Sequence, residues 1–146
     1  MPGEVGPAGA IWPDGGLAHY ALLRLTSADE FERVRRDGRS HAHPLVVLVA
    51  RQRGPAELQL PGRNRAAGPV ADQRPRFGFL ASKALGPAVD RNRAKRLLRE
   101  AARGYAAEVA PGWDLLLIAR KPLAAARQPA VRQALFELLR RARVLK

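Results

Sequence analysis

The run Val89-Asp-Arg-Asn-Arg-Ala-Lys-Arg-Leu-Leu-Arg-Glu-Ala-Ala-Arg-Gly-Tyr105 constrains the chain more than any other stretch. Stepped at about 100° per residue, it places Ala94, Leu97, Leu98, Ala101 and Tyr105 on one stripe, the mark of a helix docked on a core. Asn92, Arg96, Arg99 and Arg103 fall on the opposite side, with Arg91, Arg93 and Lys95 along the flanks. Asp90 is placed to cap the start and Gly104 to supply a left-handed residue near the end. Within the run only Glu100 is placed to pair with the cations, so helical i,i+4 pairing does not account for the charge. A rigid helix that is apolar on one side and cationic on the other suits a polyanion.

The rest of the chain agrees with that reading. It has 146 residues, one domain's worth, and 26 Lys and Arg against 13 Asp and Glu give a net charge of +13. Such an imbalance opposes compaction and favours nucleic acid or an anionic membrane surface. All but Lys83, Lys95, Lys121 and Lys146 of the cations are arginine, whose planar fork binds phosphate bidentately and stacks on bases. A GC-rich genome produces the same bias, so charge alone does not choose the partner. Cysteine is absent, which removes disulfide, thiolate and zinc-knuckle chemistry. With no apolar run of membrane-span length and no signal-peptide pattern, a cytoplasmic protein is expected.

In chain order, residues 1–21 carry glycines and prolines but no Lys or Arg and are expected to form a disordered N-terminal extension. A single domain then spans 22–146. Ser27-Ala-Asp-Glu30 is a capping box that opens a helix over 27–37, with Phe31 and Val34 on its apolar side and Gly38 ending it. Arg39 to His43 reads as a surface turn. His41 and His43 lack a third metal partner nearby. Leu45 to Ala50 is a β-branched run covered on both faces. Residues 53–75 hold four prolines and three glycines and read as a flexible insertion, with Glu57 to Leu60 a candidate short strand. Arg76 to Lys83 forms a further strand, and Gly86-Pro87 turns the chain into the basic helix. Pro111-Gly112 introduces a strand over Trp113 to Arg120, and Pro129 opens a last helix. The apolar face of that helix is Val131, Ala134, Leu135, Leu138, Leu139 and Ala142. The order α-β-β(-β)-α-β-α describes a small α+β sandwich with a mostly antiparallel sheet.

The chemistry expected of a protein nuclease is missing. Its carboxylates are scattered, and Asp29, Glu30 and Glu32 fit capping and dipole complementation at a helix start. Glycine-rich phosphate loops and nucleophile elbows are absent. No catalytic residue and no metal ligand is assigned; the residues describe a binder. A single strand suits a cationic surface beside apolar platforms, for which Phe31, Val47, Val49 and Phe77 or Phe79 are candidates. Membrane-surface binding fits poorly because the cations lie on core-packed helices.

Phe77-Gly-Phe-Leu-Ala-Ser-Lys83 followed by Gly86-Pro-Ala-Val-Asp-Arg-Asn-Arg-Ala-Lys-Arg-Leu-Leu-Arg-Glu100 resembles the signature of the bacterial ribonuclease P protein subunit. The resemblance extends to Leu25–Gly38, the valine-rich strand and Trp113-Asp-Leu-Leu-Leu-Ile-Ala-Arg-Lys-Pro122, and covers roughly 22–143 outside the insertion. It implies a left-handed β-α-β crossover, against the usual hand. It also implies a protein bound to a catalytic RNA that removes the 5′ leader of precursor tRNA, with Mg²⁺ held mainly by the RNA. By that resemblance Arg91, Asn92, Arg93, Lys95, Arg96 and Arg99 face the catalytic RNA, with Arg103 farther along the same helix. A cleft between the helix and the sheet would hold the leader at Phe31, Arg35, Val47, Val49, Ser82 and Lys83. Arg35 stands where the family often has a second aromatic, Val49 where tyrosine is common, and Leu80, Ala84 and Pro87 replace polar residues. Leader recognition is then expected to lean on Arg35 more than on aromatic stacking. The implied partners are the catalytic RNA and precursor tRNA, with neither DNA nor membrane among them. A ribosomal or other structural RNA-binding protein without a role in catalysis shares the charge but not the strand-plus-triplet motif.

Overall fold

The computed structural model describes residues 23–25, 27–54 and 74–146. The extension expected at 1–21 and the interior of the 53–75 insertion, with its candidate strand, lie outside the described residues. The first helix, α1, spans Ala28–Asp37 and is built by the capping box: Glu30 N–H donates to Ser27 Oγ and Ser27 N–H to Glu30 Oε1, both at 3.1 Å. Gly38 ends it with an extended backbone (φ −86°), not a left-handed one. Glycine is needed there for room, since a Cβ would lie 2.6 Å from the Val34 carbonyl oxygen and 2.9 Å from that of Ala50.

The strands are β1 (Leu23–Arg24), β2 (Arg39–Ala42), β3 (Val46–Gln52), β4 (Arg76–Leu80) and β5 (Trp113–Ala119), in sheet order β1-β4-β5-β3-β2. β2/β3 and β3/β5 pair antiparallel, whereas β4/β5 and β1/β4 pair parallel. The remaining helices are α2 (Ala88–Tyr105) and α3 (Gln128–Ala142). β4, α2 and β5 form the β-α-β unit between neighbouring parallel strands, and the chain is the α+β sandwich expected.

Local readings need four corrections. Arg39–Ala42 is an edge strand and not a turn, although its mostly exposed side chains give it no apolar pattern. β4 stops at Leu80, and Lys83–Leu85 closes a short 3-10 turn. Asp90 does not cap α2, because Pro87 holds the cap position and Asp90 lies inside the first turn. Gly104 is buried within the helix, which runs on into a 3-10 turn over Ala106–Glu108; among the described residues the glycines with positive φ are Gly86 (φ 127°) and Gly112 (φ 89°), in the two predicted turns.

The sheet has two unequal faces. Leu48, Ala50, Phe77, Phe79, Leu115 and Leu117 bury one of them under α2 and α3, whose apolar stripes are the predicted ones. On the other face α1 covers Val49 and Leu116 with Val34 and Phe31, joined by Leu25. One short helix cannot roof the whole sheet, so part of an apolar face stays open.

Candidate nucleic-acid interface

α2 presents the cations as its periodicity requires. Asn92, Arg96 and Arg103 on the outer face are exposed; Arg99, predicted on that same face, is half-buried, as are Arg91, Arg93 and Lys95 along the flanks. Two flank residues are held in place: Arg91 Nη1 donates to the Gly86 carbonyl at 2.9 Å and Arg93 Nη2 to that of Ala126 at 3.3 Å. Glu100, the one acid amid them, instead accepts from Gln128 Nε2 at 3.1 Å. None of these cations has an ion pair with an acid among the described residues. Arg99 shows the consequence: partial burial, then repulsion from Arg24, Arg103 and Arg96, lowers its pKa from the usual guanidinium value. An arginine stays protonated regardless, so the face is a standing excess of positive charge.

The open face of the sheet is ordered in three cross-strand rows. Register aligns Arg51–Asp114–Arg76, then Val49–Leu116–Gly78, then Val47–Ile118–Leu80. The middle row lies under α1. Gly78 permits this, because a Cβ there would come 2.6 Å from the Phe31 ring and 3.0 Å from Leu25 Cδ1. In the third row all three side chains are half-exposed, and Phe31 is half-exposed beside them. Together they floor and wall a shallow apolar groove, with Arg35 exposed on α1 and Ser82 and Lys83 exposed just past Leu80.

The first row closes the other end. Asp114, 1% exposed, accepts from Arg53 Nη1 at 2.6 Å and from Arg76 Nε and Nη2 at 2.8 Å each. Arg76 Nη1 also donates to Glu30 Oε2 of α1 at 2.7 Å. Burial alone pushes the Arg76 guanidinium down, yet its bonds and charge pairing with Asp114 and Glu30 outweigh this and raise its pKa. The network fixes where α1 sits on the sheet.

These positions redraw the cleft. Expected between the basic helix and the sheet, the groove lies on the opposite face, beneath α1, because α2 seals its own side with buried leucines and alanines. Val49 is 4% exposed and forms the floor under α1, leaving Val47 as the accessible valine. Ile118 and Leu80, which no local sequence signal marks as groove residues, line it as well. Strand alternation puts both on Val47's face once the register is known. Phe77 and Phe79 belong to the core on the helix side.

Groove and basic helix meet at one end of the molecule. The Lys83–Leu85 turn, which leads into α2, packs against the 3-10 turn Lys121–Ala125 that follows β5. The described residues contain no group of three or more His, Cys, Asp or Glu side chains suited to a metal. No helix among them is long and apolar enough to cross a membrane.

Comparison with known proteins is consistent with this geometry. The family model for Ribonuclease P matches residues 21–143. The chain belongs to the ribonuclease P protein family. It is 36% identical over 121 residues to the ribonuclease P protein component of Herpetosiphon aurantiacus, covering 83% of this chain and 85% of that one. With the component from Roseiflexus castenholzii it shares 38% over 124 residues, covering 84% and 88%. The solved RNase P protein of Staphylococcus aureus superposes with a TM-score of 0.66 at 25% identity, over 86% of this chain and all of that one. That of Thermotoga maritima gives 0.62 at 26% identity, over 81% and 96%. As a ribonuclease P protein, the chain is an RNA-binding component of tRNA processing.

Proposed function

We propose that the chain assembles with the catalytic RNA of ribonuclease P through the outer face of α2 and holds the single-stranded 5′ leader of precursor tRNA in the groove under α1. The observation that carries this reading is the row Val47–Ile118–Leu80. Three half-exposed apolar side chains on rigid strands, beside Phe31 and ending at Ser82 and Lys83, offer unpaired bases a platform and their phosphates a charge. Duplex RNA would present no base faces to such a row. The cations of α2, free of acids, suit the phosphates of a folded RNA.

In this reading hydrolysis takes place on the RNA and Mg²⁺ belongs there. The carboxylates bordering the groove, Glu30 and Asp114, are committed to Arg76 and Arg53 and offer a metal no open donor set. The protein contributes substrate alignment and charge neutralisation, in the cytoplasm where precursor tRNA is made.

Processing of precursor tRNA tests the whole assignment. Protein alone is expected to leave the substrate intact, and protein added to the catalytic RNA is expected to restore leader removal at low Mg²⁺. Cleavage by the protein alone, or indifference of the RNA reaction to the protein at every Mg²⁺ concentration, would overturn it.

A further inference from the structure

The cationic face of α2 does not stop at the helix. β4, α2 and β5 form a crossover between parallel strands, so α2 runs back along β4 and its C-terminal half lies over the start of that strand. β1 lies there too: Arg24 pairs with Phe77, and Leu25 N–H donates to the Phe77 carbonyl at 2.9 Å. Phe77 faces α2 and Leu25 faces α1, so strand alternation turns Arg24 to the helix side at the edge of the sheet. Arg99 feels this neighbour: repulsion from Arg24 depresses its guanidinium pKa more than repulsion from Arg103 or Arg96 on its own helix. Arg24, Arg96 and Arg103 are exposed and Arg99 is half-buried, and none of the four is ion-paired with a carboxylate among the described residues. Glu100, next in sequence, is turned to Gln128. Complementing the helix dipole accounts for a cation in the last turn, which here is Arg103 alone.

We propose that Arg24 contacts RNA, completing with Arg96, Arg99 and Arg103 a phosphate site built from two elements at the C-terminal half of α2. This rests on the proposal that α2 meets the catalytic RNA, and it carries that interface off the helix onto β1. Arg91 and Arg103 stand about 18 Å apart along the helix axis, so the site is a second point of attachment, at the far end from Arg91 and Arg93. Like charges gathered on a folded chain oppose folding until an anion sits among them. Guanidinium forks approaching from a strand edge and from a helix suit closely spaced phosphates of a folded backbone, which a single helix face meets from one side only.

Stability and affinity are expected to move in opposite directions. In low salt, Arg24→Glu sets a carboxylate beside Arg99 and is expected to raise the melting temperature of the free protein by about 1–3 °C, a gain that high salt erases. Arg24→Ala is expected to bind the catalytic RNA about tenfold more weakly, with a salt slope lower by about 0.7–0.9, and Arg24→Glu more weakly still. Arg39→Ala, on β2 at the opposite edge of the sheet, is expected to match the parent protein in both measurements. A lower melting temperature for Arg24→Glu makes Arg24 a structural residue and overturns the site. So does parental RNA affinity in Arg24→Ala, or an equal loss in Arg39→Ala, which returns the effect to net charge. The Arg91→Ala/Arg93→Ala/Arg96→Ala variant keeps the two proposals apart. If it binds the RNA as the parent does, the assignment of α2 fails first; if it binds weakly while Arg24→Ala does not, the two-element site alone fails.

Discussion

Asp114 is a buried carboxylate that ties three segments of the chain together. A carboxylate removed from water costs several kcal/mol unless cations and hydrogen bonds replace the solvent, and here Arg53 and Arg76 do so directly with Arg51 Nη1 at 3.6 Å. Arg53 extends the tie, its backbone N–H donating to Gly112 and its Nη2 to the Arg74 carbonyl at 2.7 Å. One acid thus pins both ends of the 53–75 insertion to β5, and through Arg76 it reaches Glu30 of α1. Asp114→Ala leaves the 4%-exposed Arg53 side chain without its carboxylate, so a stability loss of about 3–5 kcal/mol is expected from the denaturant midpoint. A shift worth under about 1 kcal/mol would mean that water reaches these guanidiniums. Asp114 stands in the strand that the family resemblance singled out, yet its partners are 38 and 61 residues away in sequence, and no local pattern announces them.

At the scale of the element, α1 is one wall of the groove. Its apolar footing on the sheet is Val34 and Phe31, fewer side chains than α2 buries, so its terminal hydrogen bonds and the Arg76–Glu30 tie matter more than such bonds would for α2. Ser27→Ala removes the side-chain half of the capping box, a change that costs about 0.5–2 kcal/mol of helix stability. Because Phe31 follows directly in the first turns, the loss is expected to weaken binding of precursor tRNA about two- to tenfold while binding of mature tRNA and of the catalytic RNA stays level. Parallel titrations with the two tRNAs check it, and an equal drop for both would move Phe31 off the leader. α1 was legible because a capping box is local. So were the faces of α2 and α3, whose periodicity needs no partner. The groove was not, since Val47, Ile118 and Leu80 become neighbours only through pairing of three strands distant in sequence. The side of the sheet it occupies depends on where α2 crosses over. β2 escaped for a related reason: Arg-Ser-His-Ala has no apolar alternation, and only its pairing with Val47–Ala50 makes it a strand.

For the whole molecule, the question is whether a net charge of +13 acts as a diffuse cloud or through fixed positions. A cloud predicts that removing any three cations weakens RNA binding alike, because screened attraction depends on total charge. The structure favours fixed positions. Arg91 and Arg93 are anchored to the carbonyls of Gly86 and Ala126, Arg96 projects from the same helix, and Leu97, Leu98 and Ala101 lock that helix against the core. Each phosphate neutralised contributes about 0.7–0.9 to the slope of log affinity against log salt, so replacing Arg91, Arg93 and Arg96 together by alanine is expected to lower the slope by about two units. The same three charges removed at the C-terminal end of α3 and beyond it, as Arg140→Ala/Arg143→Ala/Lys146→Ala, are expected to change it by less than about half a unit. Affinity for the catalytic RNA measured across a salt series separates the cases. Matching slopes for the two triple variants would return the interface to bulk charge and detach it from α2. A difference concentrated in the helix variant ties it to side chains whose spacing is set by the buried stripe behind them, so that packing the core and presenting the charge are one arrangement.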